Sequence, residues 1–270
     1  MQPSLSSSGA APVLVHHADR VCTITINRPD ARNALNAQVA AGIASAISDA
    51  TQRAECRAIV LTGAGDRAFC AGADLVNASG SVFNVDFADP RHFMADLLQR
   101  MEDCPLPLIA RVNGHAMAGG FGLVCACDLA VAADSATFGT PEAKVGISPM
   151  MILPHMLRVL PRRVLREMCL TGEPLSAAEA LAHDIVNYVV PAAELDTKLA
   201  WLIARVVDKS PTGLRLGKQA LRTMDGLNIG ESLDYAQIMV TVLSSTPDAR
   251  EGMVAFRERR KPRWRGEAHQ

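Results

Sequence analysis

The stretch that most constrains this chain runs from Val112 through Asn113-Gly114-His115-Ala116-Met117-Ala118-Gly119-Gly120-Phe121-Gly122 to Asp128, with four glycines and no charged side chain between Arg111 and Asp128. It is too short and too interrupted to cross a bilayer. Glycine and alanine let a second chain or a ligand come against the backbone, and a glycine turn that opens an apolar helix, here residues 119–127, leaves free N–H groups at its start. Such a helix start suits an anionic oxygen. A buried, tightly packed helix without any ligand is the other reading of the same residues. A second glycine turn, Phe69-Cys70-Ala71-Gly72-Ala73-Asp74, repeats the pattern upstream and tips the reading toward a ligand.

The rest of the chain alternates strand and helix signals. Residues 13–15 and 21–26 are β-rich runs joined by a polar turn near Ala18-Asp19, which reads as a hairpin. Asn36 is placed to cap a helix whose apolar face is Leu35, Val39, Ile43, Ile47 and Ala50. Residues 58–61, 108–112, 129–132 and 186–190 read as buried strands, and residues 91–104 as a helix ended by Pro105 and Pro107. Residues 77–90 mix Gly, Ser, Asn, Asp and Phe without period, as a mobile loop over a pocket would. Beyond Pro149 the chain is mostly helical, with apolar stripes at Leu195/Leu199/Leu202/Val206, Leu214/Leu221/Met224 and Leu233/Ala236/Val240/Leu243. The expectation is an α/β core over residues 12–195, then a helical region over 196–270 that needs a surface to cover.

Charge and cysteine usage exclude several classes. With 27 Lys+Arg against 28 Asp+Glu the formal net charge is −1, which argues against a nucleic-acid or membrane-surface binder and leaves a small or medium ligand. Seven cysteines at irregular spacing, several inside predicted core segments, point to a reducing cytoplasm. Cys125 and Cys127 lack the spacing and second pair of a zinc site, so no metal is expected. Residues 1–11 lack the basic start and apolar run of a secretory signal and read as a disordered tail.

Five ordered segments carry a resemblance: Asn27-Arg28-Pro29 with Asn33-Ala34-Leu35-Asn36; Ala68-Phe69-Cys70-Ala71-Gly72-Ala73-Asp74-Leu75; Asn113-Gly114 with Gly119-Gly120 and Cys127-Asp128; Phe138-Gly139-Thr140-Pro141-Glu142; and Leu170-Thr171-Gly172-Glu173 with the run from Glu251 to Phe256. Together they resemble the crotonase superfamily, the enoyl-CoA hydratases and isomerases, over nearly the whole chain. The resemblance implies a ClpP-like spiral of ββα units with a C-terminal helical trimerisation region. It also implies a homotrimer or dimer of trimers, and a substrate that is an acyl-CoA thioester. Coenzyme A then belongs to the substrate, and no separate cofactor is implied.

The chemistry implied is stabilisation of a thioester enolate by two backbone N–H groups, those of Ala71 and Gly119. Preorganised donors of this kind contribute on the order of 3–4 kcal/mol each. By the same resemblance Ala31, Gly72, Ala73, Asp74 and Phe256 line the path of the substrate, and Glu142 moves the proton. An Asp74 carboxylate paired within its own first helical turn is the competing structural reading. Burial beside Met150 and Met151 would raise the Glu142 pKa and suit it to both donating and accepting a proton.

One position departs from the family pattern. Hydratases of the family carry a second glutamate where this chain has Gly122, and glycine carries no proton. Members with a single carboxylate at the Glu142 position include enoyl-CoA isomerases, so isomerisation and a hydration run by one carboxylate both stay open. So do an acyl-CoA-binding protein without turnover and a CoA-thioester hydrolase. His115 reads as a packed core histidine, and His155 has no acidic partner at helical spacing. The basic run from Arg257 to Arg265 is either a solvated tail, a contact to CoA phosphates or an RNA-binding strip, of which phosphate contact fits the overall charge better than RNA.

Overall fold

A computed structural model describes residues 11–74 and 92–264. The expected loop at 77–90 and residues 1–10 of the expected tail at 1–11 lie outside the described residues. Two sheets organise the molecule. The larger has six strands in the order β1 (Val13–Ala18), β2 (Val21–Ile26), β3 (Ala58–Gly63), β5 (Leu108–Val112), β7 (Leu129–Ala133) and β10 (Tyr188–Val190), parallel except for β1. The smaller has four short strands in the order β4 (Ala68–Cys70), β6 (His115–Met117), β8 (Thr137–Gly139) and β9 (Leu175–Ser176). The hairpin forms as expected, and Asp19 and Arg20 both take positive φ, the twist that a two-residue turn requires.

The uninterrupted apolar runs now have their reason. Ile59 and Leu61 of β3 face the main core with Phe69, Phe121 and Phe138, while Ala58 and Val60 face a second core closed by Leu195, Leu199 and Leu202. A parallel strand covered on both faces has no solvent side to alternate toward. The first of the three C-terminal stripes is therefore covered by this chain's own sheet.

The chain climbs as repeated units, each giving one strand to each sheet and then a helix: β3, β4 and α2 (Phe93–Glu102); β5, β6 and α3 (Gly119–Cys125); β7, β8 and, after a 3-10 turn, α4 (Leu153–Val159). Before them α1 (Ala37–Gln52) is capped by the Asn36 side chain, which accepts from the Val39 N–H at 2.9 Å. After them come α5 (Arg162–Thr171), α6 (Ala177–Ala182), α7 (Leu195–Val207), α8 (Pro211–Met224), α9 (Ile229–Ser244) and α10 (Pro247–Glu258). The second and third stripes end on surface: Leu221, Leu233 and Val240 are 73%, 58% and 62% exposed. Among the described residues no helix is long and apolar enough to cross a membrane.

Candidate active site

Three parallel strands of the smaller sheet end at one edge, and each leads into one part of the site. β4 leads into Ala71-Gly72-Ala73, β6 leads through Ala118 into Gly119 at the start of α3, and β8 leads through Thr140 to Glu142. The carboxyl ends of parallel strands are where α/β sheets bind ligands, because loops and helix starts converge there.

The backbone donors sort themselves by what they already hold. The Ala71 N–H donates to the Arg32 carbonyl at 3.0 Å, so the donor expected at Ala71 is taken. The Gly72 N–H is bonded to the Cys70 thiol, and the Asp74 N–H donates to the Leu35 carbonyl at 2.8 Å. Between them Ala73 forms an isolated parallel bridge with Leu35, an arrangement in which its own N–H points away from the partner strand. That N–H meets no acceptor among the described residues, and it stands two residues beyond the position the sequence suggested. Gly119 opens α3, so its N–H is one of the donors a helix start leaves over.

The two segments touch. A Cβ placed on Gly72, whose φ is +88°, would stand 2.6 Å from the Ala118 Cβ and 3.4 Å from the Gly119 nitrogen. Ala118 itself has φ +51° and is held there by its N–H bond to the Gly139 carbonyl at 2.8 Å. A non-glycine residue at such a φ costs on the order of 1–3 kcal/mol, which the surrounding packing offsets. The surroundings of Gly119 are hydrocarbon: a Cβ there would meet Leu35 Cδ1 at 3.2 Å and Met94 Cε at 3.6 Å.

Glu142 lies in the first turn of the 3-10 helix Pro141–Val145, half-buried, with Oε2 enclosed and without a hydrogen-bond partner among the described residues. Burial pushes its carboxyl above the ordinary glutamate value. The expected neighbours Met150 and Met151 are 66% and 38% exposed. The Cys169 thiol sits close enough to feel the Glu142 charge and bonds the Thr140 side chain, whose hydroxyl donates to the Met168 carbonyl at 3.3 Å.

Other expected residues divide. Ala31 lies in the turn just before Arg32, whose carbonyl holds Ala71, and so borders the site. Asp74 is buried and ion-paired with Arg28 at 2.6 Å, across the loop rather than within its own turn. Phe256 is 84% exposed on α10, which packs on α8 and α9. Gly122 is buried one turn into α3. His115 is exposed, not packed in the core, with Nδ1 2.8 Å from the Thr137 hydroxyl. His155 faces Glu102 Oε2 at 3.5 Å, a partner from another helix that helical spacing does not reveal. Of the basic run, Arg260 is tied to Glu251 and Glu258 and the Trp264 indole donates to the Asp208 carbonyl at 2.7 Å, so this part folds back on its own chain. All seven cysteines are free, and burial pushes Cys70 up to about 12, far from a thiolate nucleophile.

Sequence reasoning missed the roles of Asn33 and Asn113. Asn33, buried with φ +57°, donates to the Ala64 and Ala68 carbonyls at 3.0 and 2.7 Å. Asn113 accepts from the Gly63 N–H at 3.2 Å and donates to the Gly65 carbonyl at 2.7 Å. These two amides clamp the turn that delivers β4.

Residues 16–267 match the family described as enoyl-CoA hydratase/isomerase. The chain belongs to that family. It is 37% identical over 256 residues to a carnitinyl-CoA dehydratase of Escherichia coli, spanning 91% of this chain and 95% of the relative. It is 32% identical over 267 residues to the (E)-benzylidenesuccinyl-CoA hydratase of Thauera aromatica, spanning 94% and 99%. The crystal structure of human enoyl Coenzyme A hydratase domain-containing protein 3 superposes with a TM-score of 0.86 at 30% identity, covering 94% of this chain and 100% of that one. An enoyl-CoA hydratase of Mycobacterium smegmatis gives 0.85 at 32%, covering 94% and 98%. The architecture is the crotonase fold, and the chain is a family enzyme acting on coenzyme A thioesters.

Proposed function

We propose that this enzyme shifts the double bond of an unsaturated acyl-CoA, with the enolate oxygen held by the N–H groups of Ala73 and Gly119 and the proton moved by Glu142. The observation that carries the reading is the convergence of two uncommitted donors and one half-buried carboxylate at the ends of β4, β6 and β8. For a 3-enoyl thioester, the Glu142 carboxylate takes a proton from C2, and the C–H electron pair moves onto the thioester oxygen as a dienolate. The protonated Glu142 then delivers that proton to C4, the C2=C3 bond forms, and the charge on oxygen is lost. A raised carboxyl pKa suits a group that must both accept and return the proton. The reaction needs no cofactor beyond the coenzyme A of the substrate.

Hydration or dehydration with one carboxylate is the second reading, favoured by the hydratase and dehydratase names of the relatives. A binder without turnover has no use for Glu142. The purified enzyme given crotonyl-CoA and, separately, a 3-enoyl-CoA separates these, read by absorbance of the conjugated thioester. Gain of signal from the 3-enoyl substrate supports isomerisation, loss from crotonyl-CoA supports hydration, and silence from both refutes the proposal. Self-association through the apolar surface of α8, α9 and α10 belongs to the same reading, as does a reducing cytoplasmic setting for the seven free thiols.

A further inference from the structure

We propose that Ile152 determines which reaction this site performs, by filling the volume that a side chain at position 122 would need. The inference rests on the enolate reading above and deepens it. Gly122 follows Gly119 by three residues on α3, so both lie on one face of the helix. A Cβ on Gly122 would fall well inside contact distance of Ile152 Cγ2, and 2.7 Å from Ile152 Cβ. Neither backbone has slack to open the gap. The Gly122 N–H donates to the Ala118 carbonyl at 3.1 Å and its carbonyl accepts from Ala126 at 3.0 Å. Ile152 caps the start of α4, donates to the Pro149 carbonyl and accepts from the Met156 N–H, both at 3.1 Å, and is 2% exposed.

The absence of a carboxylate at 122 is thus built in by packing, because isoleucine occupies its place. The consequence is chemical. One helical turn from the Gly119 donor the wall is branched hydrocarbon, which offers no hydrogen bond to hold a water and would leave a second carboxylate unsolvated. No water is then poised to add to C3 of a conjugated thioester, and the dienolate formed by Glu142 has the proton carried by Glu142 as its electrophile. Ile152 is a specificity-determining residue that works through exclusion, without touching the transferred proton.

The test is a cycle of Gly122→Glu, Ile152→Gly and the double variant. Alanine at 152 does not suffice, since its Cβ alone stays 2.7 Å from the new one, and glycine is tolerated at a helix N-cap. Each protein is assayed with a 2-enoyl-CoA for the 3-hydroxyacyl product and with a 3-enoyl-CoA for the conjugated product, and melted in parallel. Expected are a lowered melting temperature for Gly122→Glu, its recovery by at least half in the double variant, and a tenfold or greater rise in the hydration-to-isomerisation ratio in the double variant. Additive melting shifts would overturn the packing argument. An unchanged ratio in soluble double variant, or hydration by the unaltered enzyme as fast as isomerisation, would overturn the specificity role. Failure of the enolate reading looks different, because Glu142→Gln would then leave whatever turnover exists intact.

Discussion

Replacing Gly72 by alanine tests the contact on which the site rests. At φ +88° an alanine carries about 1–2 kcal/mol of left-handed strain. Its Cβ would also stand 2.6 Å from the Ala118 Cβ and 3.1 Å from the Met117 carbonyl, neither of which is the flexible end of a side chain. Overpacking of this kind costs typically about 1–3 kcal/mol, so the total is roughly 2–5 kcal/mol. For a protein of this size that corresponds to a fall of about 5–15 °C in melting temperature. Gly65→Ala is the control: its φ is +78°, yet the nearest atom to a new Cβ is Pro29 Cβ at 3.9 Å, so it bears strain alone. The two variants should therefore differ by about 1–3 kcal/mol. Relief of the clash pushes Ala118 and Gly119 away, so Gly72→Ala should also lose about 100- to 1,000-fold in kcat, the cost of one oxyanion donor. Melting by circular dichroism and initial rates with the preferred enoyl-CoA check both arms. Equal melting shifts for the two variants, with kcat retained in Gly72→Ala, would refute the placement of Gly119 against this turn.

Two further expectations concern charge. Burial raises the Glu142 carboxyl above its ordinary 4.5, so the folded protein holds this proton to higher pH than the unfolded chain does. Stability from this group is full below the ordinary value and falls as pH rises through the raised one. Glu142→Gln should accordingly be more stable than the parent at pH 8 while losing turnover, and the difference should vanish toward pH 4.5, checked by urea unfolding at the two pH values. The parent's kcat/KM should rise with pH through the raised value, since the base form begins the reaction. Asp74→Ala leaves the Arg28 guanidinium, which is 19% exposed, with the Ala34 carbonyl bond at 2.7 Å as its remaining side-chain bond among the described residues, and should cost about 3 kcal/mol. A weakened KM with unchanged urea midpoint would return Asp74 to the substrate path.

The sequence was legible where one strand or helix carries enough residues to show a pattern. The six-residue runs of β2 and β3 and the capped α1 were readable from their side chains alone. The smaller sheet was not, because β4, β6 and β8 have three residues each, too few to show any period. Yet this sheet brings Ala73, Gly119 and Glu142 together. The motif located the glycine turn, but which of its N–H groups stays open depends on the carbonyls of Arg32 and Leu35, supplied by a distant loop, and it is the Ala71 N–H that Arg32 takes up. Gly122 was read as an absence, and only the position of Ile152 turns it into a filled volume. Glu142 was legible as a motif residue and its burial was expected, although Met150 and Met151, named as its neighbours, are 66% and 38% exposed.

The repeating climb of the chain makes the site modular. On the proposed reading one repeat supplies the donor at Ala73, the next supplies Gly119 together with the position of Gly122, and the third supplies Glu142 and Ile152. Each contribution hangs from its own strand, so a change of side chain in one repeat leaves the anchoring of the others in register. A fold arranged this way can keep the proposed enolate contacts fixed while the outcome of the reaction is rewritten by a substitution in one repeat and its matching change in the next.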